Sequence, residues 1–138
     1  MQILVTRDIA TCLRLRRTVF IDEQGVSEAD EVDGLDEAAI HLLALDGDRP
    51  VGTARLLVKG AVAKIGRVCV LRQARGTGLG AALIRAALEE LRAQPGVREA
   101  MLGSQSHATG FYEKLGFVVS GEEFLDAGIP HRDMRRAL

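Results

Sequence analysis

Long apolar runs, cysteines and net charge are all scarce in this chain. No apolar stretch approaches the ~18 residues that a membrane-spanning helix needs, so no membrane partner is expected. Lys and Arg number 18 against 19 Asp and Glu, a formal net charge of −1. That balance leaves no electrostatic footprint for nucleic acid or for an anionic membrane surface. The two cysteines, Cys12 and Cys69, stand in no metal-ligand spacing, so no metal is expected. They read as two buried thiols and not as a structural disulfide. Met1–Arg7 is short and mixed and lacks a secretory pattern, which makes a cytoplasmic location the default expectation. Internal repeats and low-complexity linkers are missing as well. What remains is 138 residues, 47% hydrophobic and 27% charged. This suits one compact domain over residues 1–138 and is too apolar for disorder.

Periodicity divides the chain into alternating elements. Met1–Thr6 reads as a strand. Asp8 can cap a helix carrying Ile9, Cys12, Leu13, Val19 and Phe20 on one side. Residues 22–37 are acidic, hold Gly25 and Gly34, and read as a loop or a short helix pair. Ala39–Leu45 and Val51–Val58 form a hairpin about the turn 46–50, and Lys64–Leu71 is a further strand. A long helix from about Gly78 to Ala93 places Leu79, Ala82, Leu83, Ala86, Ala87 and Leu91 on one face, and Pro95-Gly96 stops it. Ala100–Gly103 is a short strand, Ser106–Leu115 a helix ending at Gly116, and 117–119 and 131–136 are closing strands. The order β-α-β-β-β-α-β-α-β-β predicts an α+β fold: a mixed central sheet flanked by helices in one α/β/α layer sandwich.

The chemistry concentrates in Arg75-Gly76-Thr77-Gly78-Leu79-Gly80, between a strand and a strongly amphipathic helix. Alternating glycines let a ligand approach the backbone closely. The helix start offers unpaired N–H groups and the positive end of its dipole. Together these suit a diphosphate, and Arg72 and Arg75 add positive charge. Gly76, Gly78 and Ala81 also fit the relaxed dinucleotide pattern, with Glu99 near the position of its acidic partner. Antiparallel strands before the loop and a short remainder after it speak against that reading.

These residues resemble the GNAT superfamily of N-acetyltransferases. Val68-Cys69-Val70 followed by Arg75, Gly78 and Gly80 is similar to its acetyl-CoA motif, and 111–117, Phe-Tyr-Glu-Lys-Leu-Gly-Phe, to its second signature. Residues 20–24, 31–37 and 128–131 are similar to the small bacterial ElaA-like branch, although Asp126-Ala127-Gly128 stands where that branch usually has Glu-Asp-Gly. The resemblance implies the GNAT fold, acetyl-CoA as co-substrate and transfer of an acetyl group to a primary amine.

It also implies roles for individual residues. Val68, Cys69 and Val70 are expected to splay from Ala100–Gly103 and to pair with the pantetheine amides like an added strand. Arg75, Gly76, Thr77, Gly78, Leu79 and Gly80 are expected to hold the diphosphate, with Lys114 among the cofactor-binding residues. Gln105, where the family often has Asn, either binds the pantetheine arm or caps its own loop. Aminolysis of a thioester needs a neutral amine, a polarised carbonyl and a protonated leaving thiolate. A backbone N–H near Val70 is expected to polarise the carbonyl. Tyr112, the only tyrosine, is expected to protonate the thiolate; its alternative is a core aromatic with a surface hydroxyl. Glu23 is the expected base, with Asp33, Glu31 and His131 as alternatives, and Asp33 and His131 are expected to contact the acceptor. Glu31 and Glu37 read as solvated charges, His41 as part of its strand and His107 as exposed. Cys69 reads as a small core residue, because no His and acid are placed to activate it.

A competing reading keeps the fold and drops the transfer, leaving an acyl-CoA sensor. The acceptor stays open among polyamine, amino acid, antibiotic, protein N-terminus and lysine, and the chain is expected to be a monomer or homodimer.

Overall fold

The Asp8 carboxylate accepts the Thr11 N–H at 3.1 Å and the Thr11 hydroxyl at 2.6 Å. Capping of this kind satisfies a donor that the helix itself leaves unpaired. It fixes the start of α1 (Ile9–Arg16) just after β1 (Gln2–Thr6) in the computed structural model, which describes residues 1–138. The helix widens into π-type turns over Arg17–Glu23. Ser27 then caps the short α2 (Glu28–Glu31), and Asp36–Ala38 makes a single 3-10 turn.

Three antiparallel strands follow: β2 (Ile40–Asp46), β3 (Arg49–Lys59) and β4 (Val62–Val70). The long helix α3 (Leu79–Arg92) leads to β5 (Glu99–Gln105), which runs parallel to β4. A 3-10 turn at Ser106–Ala108 and the short α4 (Thr109–Glu113) take the place of the longer helix expected over Ser106–Leu115. The chain closes with β6 (Val118–Val119), β7 (Phe124–Asp126) and β8 (Ile129–Ala137).

The sheet order is β1-β2-β3-β4-β5-β8-β6, with β7 paired on β8. The α+β class and the flanked mixed sheet are as expected. The eighth strand, β7, is not. It forms a hairpin whose turn residues Ala127 and Gly128 have φ of 50° and 77°. Two successive positive φ values are the geometry of a tight hairpin turn, and Ala in the first of them hid the signal.

Both sheet faces are covered. On one, α3 buries Leu83, Ile84, Ala87 and Leu91 completely against Leu56, Ile65 and Leu102. Truncating any of these leucines to Ala would cost about 2–5 kcal/mol. On the other face, Cys12, Leu15 and Val19 of the first helical segment meet Leu43 and Cys69. Both cysteines are free and buried. No helix is long and apolar enough to cross a membrane.

Strand β4 changes faces halfway. Thr53 of β3 lies opposite Cys69, and Arg55 lies opposite Gly66. Two steps on β3 therefore span three on β4, an extra residue at Arg67–Val68, and Arg67 has φ of 50°. Because side chains alternate with period 2, one extra residue reverses every side chain beyond it. The packing follows: Ala63 and Ile65 face α3 before the bulge, whereas Val68 and Val70 do so after it and Cys69 turns to α1.

Candidate active site

β4 also loses its neighbour, shortly before the bulge. Its ladder with β5 covers only Val62–Lys64 against Glu99–Met101. From Ile65 onward, the backbone groups of β4 on that side have no strand partner, which is the splay expected between Val68–Val70 and 100–103. A cavity of about 280 Å³ lies along the opening, lined by Val68, Leu102, Gln105, Tyr112, Phe124 and His131 among others.

The glycine loop follows β4 after a single 3-10 turn at Arg72–Ala74. Gly78 caps α3 in the left-handed region, φ 83°, and Gly76 has φ 76°. Gly80 differs from both. It lies inside the first turn of α3 without a positive φ, and a Cβ there would meet only Phe111 Cζ at 3.7 Å, an ordinary contact. Alanine would favour the helix by about 0.5–1 kcal/mol, so nothing within the chain requires glycine. The missing side chain keeps the surface open beside the unpaired N–H groups of the helix start, a shape and polarity that fit a diphosphate. Arg75 donates from Nε to the Val70 carbonyl at 3.0 Å. Thr77 Oγ1 donates to the Ala74 carbonyl at 2.6 Å, and Leu79, the first residue of α3, is buried.

Inside the cavity, Tyr112 projects from α4. Its ring meets Phe111 and Phe117 edge-on at 5.0 and 6.2 Å. Burial pushes its phenol pKa up, and burial is the only cause, with no hydrogen bond contributing. His131 Nδ1 donates to the Ile129 carbonyl at 2.7 Å, since a carbonyl only accepts. That bond leaves the lone pair of the neutral ring on Nε2. The ring stacks on Phe124 at 6.0 Å. Gln105 Oε1 lies 2.8 Å from His107 Nε2. Lys114 is exposed just past α4 and does not line this cavity. The Cys69 thiol, buried beneath β4, is pushed up to about 12 by desolvation, so it carries no thiolate near neutral pH.

Two expectations change on the acidic side. Glu23 does not line the cavity; its carboxylate accepts from Arg75 Nη2 at 2.8 Å, outside it. Asp33 does not reach the cavity either, because Arg55 holds both of its oxygens, at 2.8 and 2.7 Å, and Arg67 Nη2 approaches at 3.3 Å. The Arg55 hydrogen bonds keep the Asp33 carboxyl well below the usual carboxylate range, against the opposing effect of burial.

Glu31 was expected in solvent and is only 4% exposed. α2 turns it inward, 4.0 Å from Arg16 and 3.7 Å from Arg67, and it lines the cavity. Glu37 is exposed, as expected. Arg16 is fully buried and donates to Asp36 at 2.7 Å; Arg55 donates to the same oxygen at 3.2 Å. His41 completes the cluster from β2. Nε2 donates to the Asp36 carbonyl and Nδ1 accepts from Arg16. Sequence reasoning missed Arg16, Arg55 and Arg67. For Arg55 and Arg67 the available signal was a charge at the centre of otherwise apolar strands, Thr53-Ala54-Arg55-Leu56-Leu57 and Ile65-Gly66-Arg67-Val68-Cys69, with an acidic segment elsewhere to neutralise it.

Comparison with known proteins agrees with this geometry. The uncharacterized N-acetyltransferase YjcF of Bacillus subtilis is 40% identical over 88% of this chain and 87% of its own length. An acyl-CoA N-acyltransferase from Pseudomonas aeruginosa superposes with a TM-score of 0.90 at 32% identity, covering 99% of this chain and 100% of that one. Escherichia coli ElaA superposes with a TM-score of 0.84 at 30% identity, covering 98% and 97%. Residues 17–138 match the acetyltransferase (GNAT) domain family, and with the open β4–β5 seam beside a glycine loop at a helix start, this chain belongs to that family of acyltransferases.

Proposed function

We propose that the protein moves an acetyl group from acetyl-CoA to the primary amine of a small molecule or peptide by direct transfer. The observation that carries this reading is Tyr112, a half-buried hydroxyl without a protein partner in the cavity where β4 parts from β5. A sensor that only binds acyl-CoA has no use for a proton donor there.

Acetyl-CoA supplies the thioester, whose sulfur leaves as a thiolate. In this reading the N–H groups at the start of α3, Thr77 and the side chain of Arg75 hold the diphosphate. Backbone groups of Val68, Cys69 and Val70 bind the pantetheine arm, helped by the Gln105 amide. Lys114, at the surface beyond α4, is left to a distal phosphate. The Tyr112 hydroxyl gives its proton to the leaving sulfur, and its raised pKa keeps that proton in place at neutral pH. Of the base candidates, His131 fits best. It lines the cavity, and its Nδ1 bond leaves Nε2 to take the amine proton. Direct transfer is favoured over an acyl-enzyme because the Cys69 thiol is both buried and protonated.

Thermal denaturation with acetyl-CoA tests the donor. At 100 times the dissociation constant the fold should gain about 2.7 kcal/mol, and an unchanged melting curve at millimolar acetyl-CoA would refute the reading. Release of free CoA thiol across a panel of primary amines then identifies the acceptor.

A further inference from the structure

Arg67 is the most conspicuous backbone outlier at the cavity. It and Ala127 are the two non-glycine residues with positive φ, both at 50°. Ala127 sits in a hairpin turn, where that conformation is routine. Arg67 sits inside a strand, in the bulge that reverses the faces of β4, and both it and Val68 line the cavity. A left-handed residue in mid-strand persists only where its surroundings over-determine it.

Those surroundings are α2, the loop behind it and the neighbouring strand β3. The guanidinium donates from Nη2 to the Glu31 carbonyl at 3.0 Å and to Asp33 Oδ2 at 3.3 Å, and Nε lies 3.7 Å from Glu31 Oε1. Asp33 is in turn clamped by Arg55 of β3, the register partner of Gly66. The chain thus closes from the bulge, through α2 and the loop behind it, to the neighbouring strand beside the bulge. Neither Arg67 nor Val68 has a register partner on β3 or β5. The bulge also changes the phase of the strand. It decides which alternate residues beyond it turn their N–H groups toward the open edge, just as it decides which side chains face α3.

We propose that Arg67 is a positioning residue: the clamp of Glu31 and Asp33 on its guanidinium holds the β4 bulge, and the bulge directs backbone N–H groups of the open edge at the acyl carbonyl. This rests on the acetyl-CoA reading above. It assigns the buried charge cluster to the polarisation of the donor, where an acidic pocket would otherwise suggest acceptor recognition. The Nη2 of the guanidinium is already committed to the Glu31 carbonyl and Asp33.

The test is a substitution series read by spectroscopy, for which no acceptor is needed. Acetyl-CoA labelled with ¹³C at the carbonyl is bound to each full-length variant, its affinity is measured, and the infrared stretch of the bound thioester carbonyl is recorded. In the wild type the stretch should fall below that of free acetyl-CoA. Arg67→Ala removes the clamp and keeps the strain, so the stretch should return toward the free value with affinity largely kept. Arg67→Gly also removes the guanidinium but adopts φ near 50° without strain, so it should regain most of the shift. Arg67→Asn, which tolerates the left-handed region, should follow Gly. Arg67→Lys keeps the charge and lacks the planar fork, and should follow Ala. If Arg67→Ala does not fold, the Asn and Lys variants make the same comparison. Once an acceptor is known, single-turnover transfer should rank the variants in the same order, with Arg67→Ala down by about 10²-fold, the scale for one lost oxyanion donor.

Equal carbonyl frequencies across Ala, Gly, Asn and Lys would overturn the proposal. If all match the wild type, the bulge needs no clamp; if all match free acetyl-CoA, the guanidinium acts on the ligand directly. A series in which Lys keeps the shift and Gly loses it would mean that charge matters and conformation does not. Failure of the wild type to bind acetyl-CoA would instead remove the functional reading beneath the proposal.

Discussion

Strand β4 carries two features built by different means. The glycine loop at its end is local: six consecutive residues, a helix start and one arginine make it. The charged cluster around its middle is assembled from remote parts. Arg16 meets Asp36 across 20 positions, Arg55 meets Asp33 across 22, and Arg67 meets Asp33 across 34. The loop owes its form to backbone freedom and the absence of side chains. The cluster instead buries the guanidinium groups of Arg16 and Arg55 and half-buries that of Arg67, all of which need carboxylates, and the Nε atoms of the three are still left without hydrogen-bond partners. The two should therefore fail differently, the loop through lost ligand affinity and the cluster through lost stability.

The largest expected effect lies in the cluster. Asp36→Ala removes the carboxylate 2.7 Å from Arg16, whose side chain is 0% exposed. An uncompensated buried charge costs about 3–5 kcal/mol, so urea denaturation should show a loss of that size, enough to unfold a marginal domain. A loss under 1 kcal/mol would mean that Glu31 or water satisfies Arg16, and the contrast with the loop would weaken.

Tyr112→Phe comes next and probes the cavity between the two. It keeps the ring contacts with Phe111 and Phe117 and removes one hydroxyl, so stability and acetyl-CoA affinity should hold. A proton donor to the leaving sulfur acts only in the transition state. Single-turnover transfer should fall by about 10²–10⁴-fold. An unchanged rate would make Tyr112 a packing residue.

Acid should separate the regions again, more gently. Asp33 and Asp36 both have lowered carboxyl pKa values in the fold. For Asp33 the Arg55 hydrogen bonds dominate; for Asp36 burial acts upward, and Arg16 and Arg55 outweigh it. A folded pKa below the unfolded one means that the unfolded chain takes up protons first. The stabilisation is therefore complete above about pH 4, the unfolded Asp value, and is lost as pH falls below it. Thermal melts from pH 5 to pH 2 should show that loss, and Asp33→Asn should flatten it. Equal slopes for the two proteins would place the acid sensitivity elsewhere.

The same contrast explains what could be read from the sequence. α3 and its glycine loop were legible because helical periodicity, a strand before and a Pro-Gly stop after are neighbours in sequence. The splay of β4 from β5 and the place of Tyr112 were legible through two family motifs. The roles expected of Glu23 and Asp33 depended on where an irregular acidic segment folds, and no periodicity fixes that. Asp33 looked free because the arginines that hold it lie on β3 and β4, and Glu31 looked solvated because a four-residue helix gives too short a pattern to reveal a buried side. The β4 bulge was hidden for a related reason: Gly66-Arg67-Val68 breaks the alternation by one residue, and a single break reads as noise until the packing on both sides shows that the faces have exchanged.

The smallest effect on the fold should also discriminate best at the loop. Gly78 cannot supply this test, because its φ of 83° would strain any side chain and confound folding with binding. Gly80 can, since its backbone is ordinary and a Cβ would touch only Phe111 Cζ at 3.7 Å. In Gly80→Ala the apo protein should become more stable, by up to about 1 kcal/mol, because alanine is the better helix residue. Acetyl-CoA should bind more weakly, because the new methyl group projects where the diphosphate must approach the helix start. A methyl group that costs one good hydrogen bond to an ionised group is worth about 1.5–3 kcal/mol, a drop in affinity of roughly 10–100-fold. The opposite signs separate this from general damage, which would lower both quantities together. Calorimetric titration and thermal denaturation of one preparation measure both, and a Gly80→Ala protein that binds acetyl-CoA as tightly as the wild type would show that the diphosphate does not reach the first turn of α3.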